Sequence, residues 1–177
     1  MKRLYIEVHR LAALCLHMSC KVFYKDLYYR LIGELSLGYS VYNKTPKSII
    51  DTRLVQALIC SEDRRFYYHS GFDFIAILRA IHQSVFKGSR QGGSTIEQQL
   101  VRTLLELYEP SWRRKLKEIM LSTVVKDYIP KKDIPRYYLY EAYFGWKMNG
   151  IQQAFKRLKV DGKHITKMEA ARLIACL

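Results

Sequence analysis

Two adjacent carboxylates, Glu62 and Asp63, are the first residues in this 177-residue sequence whose chemistry stands out. They lie beside Arg64, Arg65 and His69, so an acid or base at this point would work among cationic side chains. A positioned carboxylate can take a proton from a reacting hydroxyl or give one to a leaving group. The stretch therefore predicts proton transfer next to a site that attracts anions.

A second stretch, residues 92–100, reads Gly-Gly-Ser-Thr-Ile-Glu-Gln-Gln-Leu and predicts the start of a helix. Residues 94–97 have the spacing of a capping box. The start of a helix offers unpaired backbone N–H groups and the positive end of the helix dipole, and both favour an anion. Gln98 and Arg102 are four residues apart, so they share a face that can point into a cleft.

A third group is predicted on the polar side of a later helix, where one cleft could receive Arg114, Lys115 and Glu118. Glycosyl transfer commonly uses two carboxylates, and Glu62 and Glu118 are the candidates here. If the leaving group is a phosphate, cations such as Arg102 and Arg114 must take up its negative charge. Glu62 would then deprotonate the attacking hydroxyl, and for that role we expect it to be partly buried.

Each of these signals also has a simpler structural interpretation. Glu62 and Asp63 could form a solvated helix end, and Glu97 could be a helix cap. Arg114 and Glu118 could form an exposed ion pair, which contributes only about 0.3–0.5 kcal/mol to stability. Only the joint order and spacing of the three groups favours a single reactive site.

The composition predicts one globular domain with a sizeable core, because 49% of the residues are hydrophobic and 26% are charged. The net charge of +14 favours an anionic partner, such as an acidic lipid surface or a phosphorylated substrate. We find no base-reading motif and so predict no nucleic-acid partner. The four cysteines form no CxxC pair and no cluster with zinc spacing, so no metal site is predicted.

The pattern of apolar residues predicts a mainly α fold in two parts. Residues 1–37 form an amphipathic, membrane-proximal helical segment, and residues 38–177 form the main domain. The aromatic and basic residues of the first segment suit a membrane interface and equally an ordinary packed helix with a solvated basic face. A signal peptide is a further alternative, since a basic start precedes a short apolar run. The apolar run at residues 11–20 is shorter than the roughly 20 residues of a membrane-spanning helix. The main domain is expected to have a helix from Asp51 to about Glu62, an apolar stripe over residues 74–85, a loop at 87–93, a helix that Pro110 stops, a helix capped by Ser111, a helix at 137–144 and a last helix capped by Thr166 with Glu169.

Taken together, the motifs resemble glycosyltransferase family 51, the peptidoglycan glycosyltransferase domain of penicillin-binding proteins and of monofunctional transglycosylases. The family motif E-D-x-x-F-x-x-H-x-G-x-D is complete at Glu62, Asp63, Phe66, His69, Gly71 and Asp73. The motif G-G-S-T-I-x-Q-Q-L stands at 92–100, and R-K-x-x-E stands at Arg114, Lys115 and Glu118. The fourth motif, around K-x-x-I-L-x-x-Y-L-N, is partial: Lys132, Ile134, Tyr138, Leu139, Tyr143, Phe144 and Gly145.

The resemblance implies a lysozyme-like helical domain with a small membrane-associated lobe, at the outer face of a bacterial cytoplasmic membrane and peripheral or weakly anchored. It implies polymerisation of lipid II into β-1,4 glycan strands with release of undecaprenyl pyrophosphate. The implied partners are lipid II, the growing glycan, an anionic membrane surface and other cell-wall synthesis proteins. No cofactor is obligatory, although a divalent cation, Mg or Mn, assists some members.

By motif match, Glu62 is the general base that activates the acceptor hydroxyl, and Glu118 lies with the cations on the diphosphate side. The substrate-binding residues implied by the match are Asp63, Ser94, Thr95, Gln98, Gln99, Arg102, Arg114 and Lys115.

The sequence departs from the family pattern at several positions. Arg102 replaces a lysine, Thr103 and Tyr140 replace asparagines, and Pro135 replaces a leucine. The chain also ends at Leu177, before the family's last arginine-containing motif, and no spanning anchor precedes the domain. These features favour a minimal, weakened member, or a degenerate domain that binds lipid II or a cell-wall partner without turnover. A third hypothesis, a hydrolase that cleaves glycan, is disfavoured by the set of cations.

Overall fold

The computed structural model describes residues 2–46, 50–87, 92–162 and 164–177, and these are mostly helical. The described helices are α1 (Lys2–Phe23), α2 (Lys25–Asn43), α3 (Thr52–Glu62), a 3-10 turn (Phe66–Tyr68), α4 (Phe74–Lys87), α5 (Ile96–Leu104), α6 (Trp112–Tyr128), α7 (Ile134–Glu141), α8 (Ile151–Leu158) and α9 (Lys167–Ile174). Within the same ranges, extended pairing is limited to one antiparallel bridge between Tyr143 and Asn149. The predicted mainly α fold is confirmed.

Helix α5 lies in the middle of the core and carries the residues of the second motif. Ile96, Leu100 and Val101 are fully buried, and α5 packs against α6 and α7. Helix α3 packs against α9, and α1 packs against α6 and α2. The N–H of Ile96 donates to Asp63, which directly follows α3, so the end of α3 and the start of α5 meet where the first two motifs come together.

Most predicted helix starts are confirmed by their caps. The side chains of Asp51 and Ser111 each accept a hydrogen bond from a backbone N–H of the following first turn. Thr166 and Glu169 form the complete capping box of α9, with both reciprocal bonds present. These caps are local, so residue types and spacing were sufficient to predict them.

Three helix boundaries differ from the prediction, and one of them is the end of α7, which lies at Glu141 and not at residue 144. Helix α5 ends at Leu104 and not at Pro110, because Glu106 adopts a left-handed backbone conformation with φ 54°. Helix α7 begins at Ile134 and not at residue 137, with Pro135 in its first turn. Proline is tolerated there because a first-turn N–H has no partner within the helix.

Helix α2 continues through the predicted division between residues 37 and 38, and that division stays a prediction. Gly33 and Gly38 do not break the helix. A Cβ atom at Gly38 would collide with the hydroxyl of Tyr137, whereas a Cβ at Gly33 would meet no atom within 4 Å. Gly38 therefore allows close approach of α2 to α7.

Two apolar stripes face outward. On α4, the residues of the predicted stripe Phe74, Leu78, Ile81 and Val85 are between 52 and 68% exposed. On α1, a second stripe is formed by Leu4, Val8, Leu11, Met18 and Val22. None of the described helices has both the length and the apolar composition of a membrane span. Of the predicted loop at 87–93, residues 88–91 lie outside the described part of the chain.

We expect opposite effects from the same substitution at the two glycines of α2. Gly33→Ala should raise the free energy of unfolding by about 0.5–1 kcal/mol, because alanine favours an exposed helix. Gly38→Ala should lower it by about 1–3 kcal/mol, since the buried Tyr137 must move. Urea unfolding of both variants tests this, and equal effects at the two positions would contradict the proposed close packing of α2 against α7.

Candidate active site

A cleft of about 690 Å³ lies beside the end of α3 and the starts of α4 and α5. Its charged lining consists of Glu62, Asp63, Arg64, Arg65, Asp73, Arg79 and Arg102. Cations outnumber carboxylates in this lining, so the cleft favours an anionic ligand while keeping acidic groups at its wall.

Glu62 is the last residue of α3, as predicted, and one oxygen of its carboxylate is held by a hydrogen bond. Its Oε2 accepts a hydrogen bond from Nε2 of Gln99 at 2.9 Å. The Oε1 of Gln99 in turn accepts from the hydroxyl of Tyr138 at 2.7 Å. Burial raises the pKa of Tyr138, so its hydroxyl keeps the proton that it donates.

The expected partial burial of Glu62 is wrong, because the residue is exposed to the cleft. A position on the last turn of a helix at the rim of the core leaves the side chain open to solvent. Tyr138, which orients Gln99, had no site role in our prediction. Its place in the partial fourth motif was the signal that could have identified it.

Asp63 is buried, and both oxygens of its carboxylate have hydrogen-bond partners within the protein. Both of its carboxylate oxygens lie 3.0 Å from Nε2 of His69, and Oδ2 also accepts from the backbone N–H of Ile96 at 3.2 Å. The protein's own carboxylate therefore occupies the start of α5. A direct contact between Asp63 and substrate stays a prediction, but the contacts shown make Asp63 a residue that holds α3 to α5.

The predicted capping box at residues 94–97 is wrong. Thr95 and not Ser94 is the cap: its Oγ1 accepts from the N–H of Gln98 at 3.3 Å and donates to the carbonyl of Gly71 at 2.5 Å. Together, Asp63 and Thr95 satisfy two first-turn N–H groups of α5. The expectation that a substrate anion sits on a bare helix start must therefore be corrected.

Glu97 forms a buried ion pair and is not a cap. Lys131 Nζ donates to Glu97 Oε1 and also to the carbonyl of His69 at 3.0 Å. The same ammonium group lies 3.9 Å from the ring centre of Phe66. Lys131 stands three residues before Ile134, which is the lysine position of the fourth motif, so our choice of Lys132 was wrong.

The third motif forms a compact charge cluster behind the cleft. Glu118 is only 1% exposed and accepts from Arg114 Nη1 at 2.7 Å and from Lys115 Nζ at 3.2 Å. Lys115 Nζ also donates to Ser94 Oγ and Gln98 Oε1, each at 2.7 Å. Burial lowers the pKa of Lys115, although the neighbouring Glu118 opposes this effect.

The structure thus brings Ser94, Gln98, Lys115 and Glu118 together, with Gln98 and Glu118 buried and with Ser94 and Lys115 partly exposed. Their contact with substrate stays a prediction. The interpretation of Arg114 and Glu118 as an exposed ion pair is wrong. Glu118 is saturated by two cations, so it anchors them, and a direct catalytic role for it stays a prediction. Arg102, two residues after the second motif, lines the cleft, whereas Arg114 and Lys115 of the third motif are not part of its described lining.

Asp63, His69 and Glu97 offer possible metal-ligand atoms within 4.8 Å of one another. Asp63 and His69 already bond to each other, and Lys131 supplies a cation to Glu97. Asp63 also lines the cleft, but His69 and Glu97 are buried and lie outside its lining, so the three donors do not face a substrate diphosphate together. These residues do not fit a divalent cation that acts on such a substrate.

Comparison with known proteins identifies relatives across most of the chain. The sequence profile of the transglycosylase family matches residues 32–177. The chain is 36% identical over 129 residues to penicillin-binding protein 1A of Escherichia coli, which covers 71% of this chain and 15% of that protein. It is 31% identical over 166 residues to penicillin-binding protein 1F of Bacillus subtilis, covering 92% of this chain and 22% of that protein.

A shorter relative is the biosynthetic peptidoglycan transglycosylase of Pasteurella multocida. It is 36% identical over 138 residues, which are 77% of this chain and 56% of that protein. This chain therefore spans only part of the length of each of these relatives. The matched region contains the cleft and the charge cluster of Arg114, Lys115 and Glu118, whereas α1 lies before the part matched by the family profile.

We expect Lys131→Met to lower the free energy of unfolding by about 3–5 kcal/mol, because it leaves the buried Glu97 without its cation. Lys132→Met is the matched control: this neighbouring lysine is exposed, and its change should stay within about 0.5 kcal/mol. Chemical denaturation of both variants measures the difference. Similar unfolding free energies for the two would refute the buried pair.

Proposed function

Since this chain belongs to the transglycosylase family, we propose that it is a peptidoglycan glycosyltransferase that polymerises lipid II into β-1,4 glycan strands and releases undecaprenyl pyrophosphate. The observation that carries the proposal is the placement of Glu62 in a cation-rich cleft, where it is held by Gln99, whose amide is in turn oriented by Tyr138. The resemblance of the sequence to glycosyltransferase family 51 agrees with the family match.

In the proposed reaction, Glu62 is the general base. Gln99 holds Oε2, and Oε1 makes no hydrogen bond to the described residues, so it can accept a proton from the acceptor hydroxyl. The hydroxyl oxygen bonds to the anomeric carbon of the donor as the bond from that carbon to the diphosphate oxygen breaks. The leaving diphosphate keeps the electron pair, so the site must stabilise the negative charge that develops.

The cations of the site are arranged in two layers for that task. Arg102 lines the cleft and can contact the diphosphate directly. Lys115 forms the second layer: it donates a hydrogen bond to Ser94, and Ser94 is part of the cleft lining. Arg114 and Lys115 share the single negative charge of Glu118 and keep part of their side chains exposed, so this second layer retains a net positive charge next to the cleft.

The proposed reaction has no obligatory cofactor. Mg or Mn can accompany the diphosphate of the substrate, but the carboxylates and histidine described above do not offer a site for either ion. We therefore assign the handling of the leaving group to the cationic side chains alone.

We further propose that the protein works on an anionic membrane surface, at the outer face of a bacterial cytoplasmic membrane. The apolar stripes of α1 and α4 face outward, and the net charge of +14 attracts acidic lipid. A lipid-linked substrate requires such contact, because its chain stays in the bilayer. A small membrane-associated lobe around α4 and contacts with other cell-wall synthesis proteins are parts of the same proposal.

Glu62→Gln should reduce the turnover of lipid II by about 10²–10⁴-fold, because it removes the base and keeps the size of the side chain. Glycan formation by purified protein in detergent measures this. The matched control is Glu109→Gln, which makes the same change at an exposed residue outside the cleft and should keep full activity. Wild-type protein that binds lipid II without converting it would instead favour the non-catalytic alternative.

Leu11→Asp should weaken sedimentation with vesicles of mixed anionic and neutral lipid by at least about tenfold, because an apolar contact is replaced by a charge. Leu158→Asp, a change at a half-exposed leucine of α8, is the control and should bind as the wild type does. Equal binding to anionic and neutral vesicles, or equal effects of the two substitutions, would argue against the proposed membrane face.

A further inference from the structure

Tyr5 of helix α1 contacts a residue of the cleft wall, although α1 precedes the residues matched by the family profile. The hydroxyl of Tyr5 donates to Oδ1 of Asp73 at 2.9 Å. Asp73 is buried and belongs to the cleft lining. Burial and the neighbouring Asp73 raise the pKa of Tyr5 to about 12, so the hydroxyl remains a donor under working conditions.

The other oxygen of Asp73 holds a cation of the cleft. Its Oδ2 accepts from Nε of Arg65 at 2.7 Å, and Oδ1 accepts a second bond from the N–H of Ala76 at 3.0 Å. Burial alone would raise the pKa of Asp73, but the bonds from Arg65, Ala76 and Tyr5 lower it, so the group stays a carboxylate. Arg65 keeps about 30% of its side chain exposed and also lines the cleft.

A second contact fixes where Tyr5 lies. His9 is buried one turn further along α1, with Nδ1 3.0 Å from the carbonyl of Tyr5 and Nε2 accepting from the N–H of Phe74 at 3.2 Å. Tyr5 and His9 therefore bind the adjacent residues Asp73 and Phe74. The position of α1 is set at the first turn of α4, beside the cleft.

We propose that Tyr5 is a positioning residue of the site: through Asp73 it holds Arg65 in the cleft wall, where Arg65 binds an oxyanion of the substrate. Arginine offers a planar set of donors that matches phosphate and carboxylate oxygens. Tyr5 and the N–H of Ala76 fix Oδ1 of Asp73, so Oδ2 keeps its bond to Nε of Arg65. The inference rests on the proposed function and adds an element from outside the matched family region to the substrate site.

The other reading of these contacts is that Tyr5 merely fastens α1 to the domain. The two readings predict different results for Tyr5→Phe, which removes only the hydroxyl. A fastening role lowers the melting temperature and leaves the substrate affinity of the folded protein unchanged. A positioning role weakens affinity, and it does so only while Arg65 is present.

The test is a double-mutant cycle on binding, made in a Glu62→Gln background so that no turnover occurs. The dissociation constant of a fluorescent lipid II is measured in detergent by anisotropy. We expect Arg65→Ala to weaken binding by about 10–100-fold, which is the range for hydrogen bonds to charged groups. Tyr5→Phe acts only through Arg65, so its effect should be smaller, about 3–10-fold. In the Arg65→Ala protein, Tyr5→Phe should have no further effect.

Two further variants sharpen the cycle. Tyr29→Phe alters an exposed tyrosine of α2 and should leave affinity unchanged, whereas Arg65→Lys should restore part of the binding that Arg65→Ala loses. A second probe, lipid II that lacks its peptide, identifies which oxyanion of the substrate Arg65 binds. A retained effect of Arg65→Ala assigns it to the diphosphate, and a lost effect assigns it to a peptide carboxylate.

The inference is overturned if Tyr5→Phe changes the dissociation constant equally with and without Arg65, or lowers only the melting temperature. It is also overturned if the Glu62→Gln protein, with Tyr5 and Arg65 intact, does not bind the fluorescent lipid II. The proposed function is judged separately by lipid II turnover of the wild-type protein. Turnover with an unchanged affinity in Tyr5→Phe would leave that function standing and remove only the role of Tyr5.

Discussion

The bond between the carboxylate of Asp63 and the start of α5 is the constraint on which the site depends. Asp63 immediately follows α3, and its oxygens bind His69 and the N–H of Ile96. This fixes the end of one helix against the beginning of another. Because Glu62 is the neighbour of Asp63, its carboxylate is brought to the side of α5 where Gln99 can bind it.

The acidic residues around the cleft divide into two kinds. Asp63, Asp73, Glu97 and Glu118 are buried, and each is paired with a histidine, a lysine or an arginine. A buried carboxylate without such a partner would be strongly destabilising, so each of these groups also fixes a basic side chain in place. Glu62 is exposed, and among the described residues its hydrogen-bond partner is the neutral amide of Gln99, which leaves Oε1 open to the acceptor in the proposed reaction.

The apolar and charged surfaces serve the same proposed substrate. A lipid-linked sugar diphosphate has a chain that stays in the membrane and a head group that must enter the cleft. Helices α1 and α4 carry the outward apolar stripes, and both also contribute residues to the hydrogen-bonded group at Asp73. The elements proposed to lie on the membrane are therefore the same elements that shape one wall of the cleft.

The sequence by itself determined the helical class, most of the helix caps, and the residue types and spacing of the three motifs. These follow from local rules, since a cap or a shared helix face depends on residues three or four positions apart. Only the tertiary structure decided which carboxylate is exposed and which is buried. Asp63 binds an N–H 33 residues away, and Glu97 binds a lysine 34 residues away, so their partners could not be read from spacing. The roles of Tyr5, Tyr138 and Lys131 could not be predicted from spacing for the same reason. Each of these residues is far along the chain from the group that it holds, and only folding brings the residue and that group together.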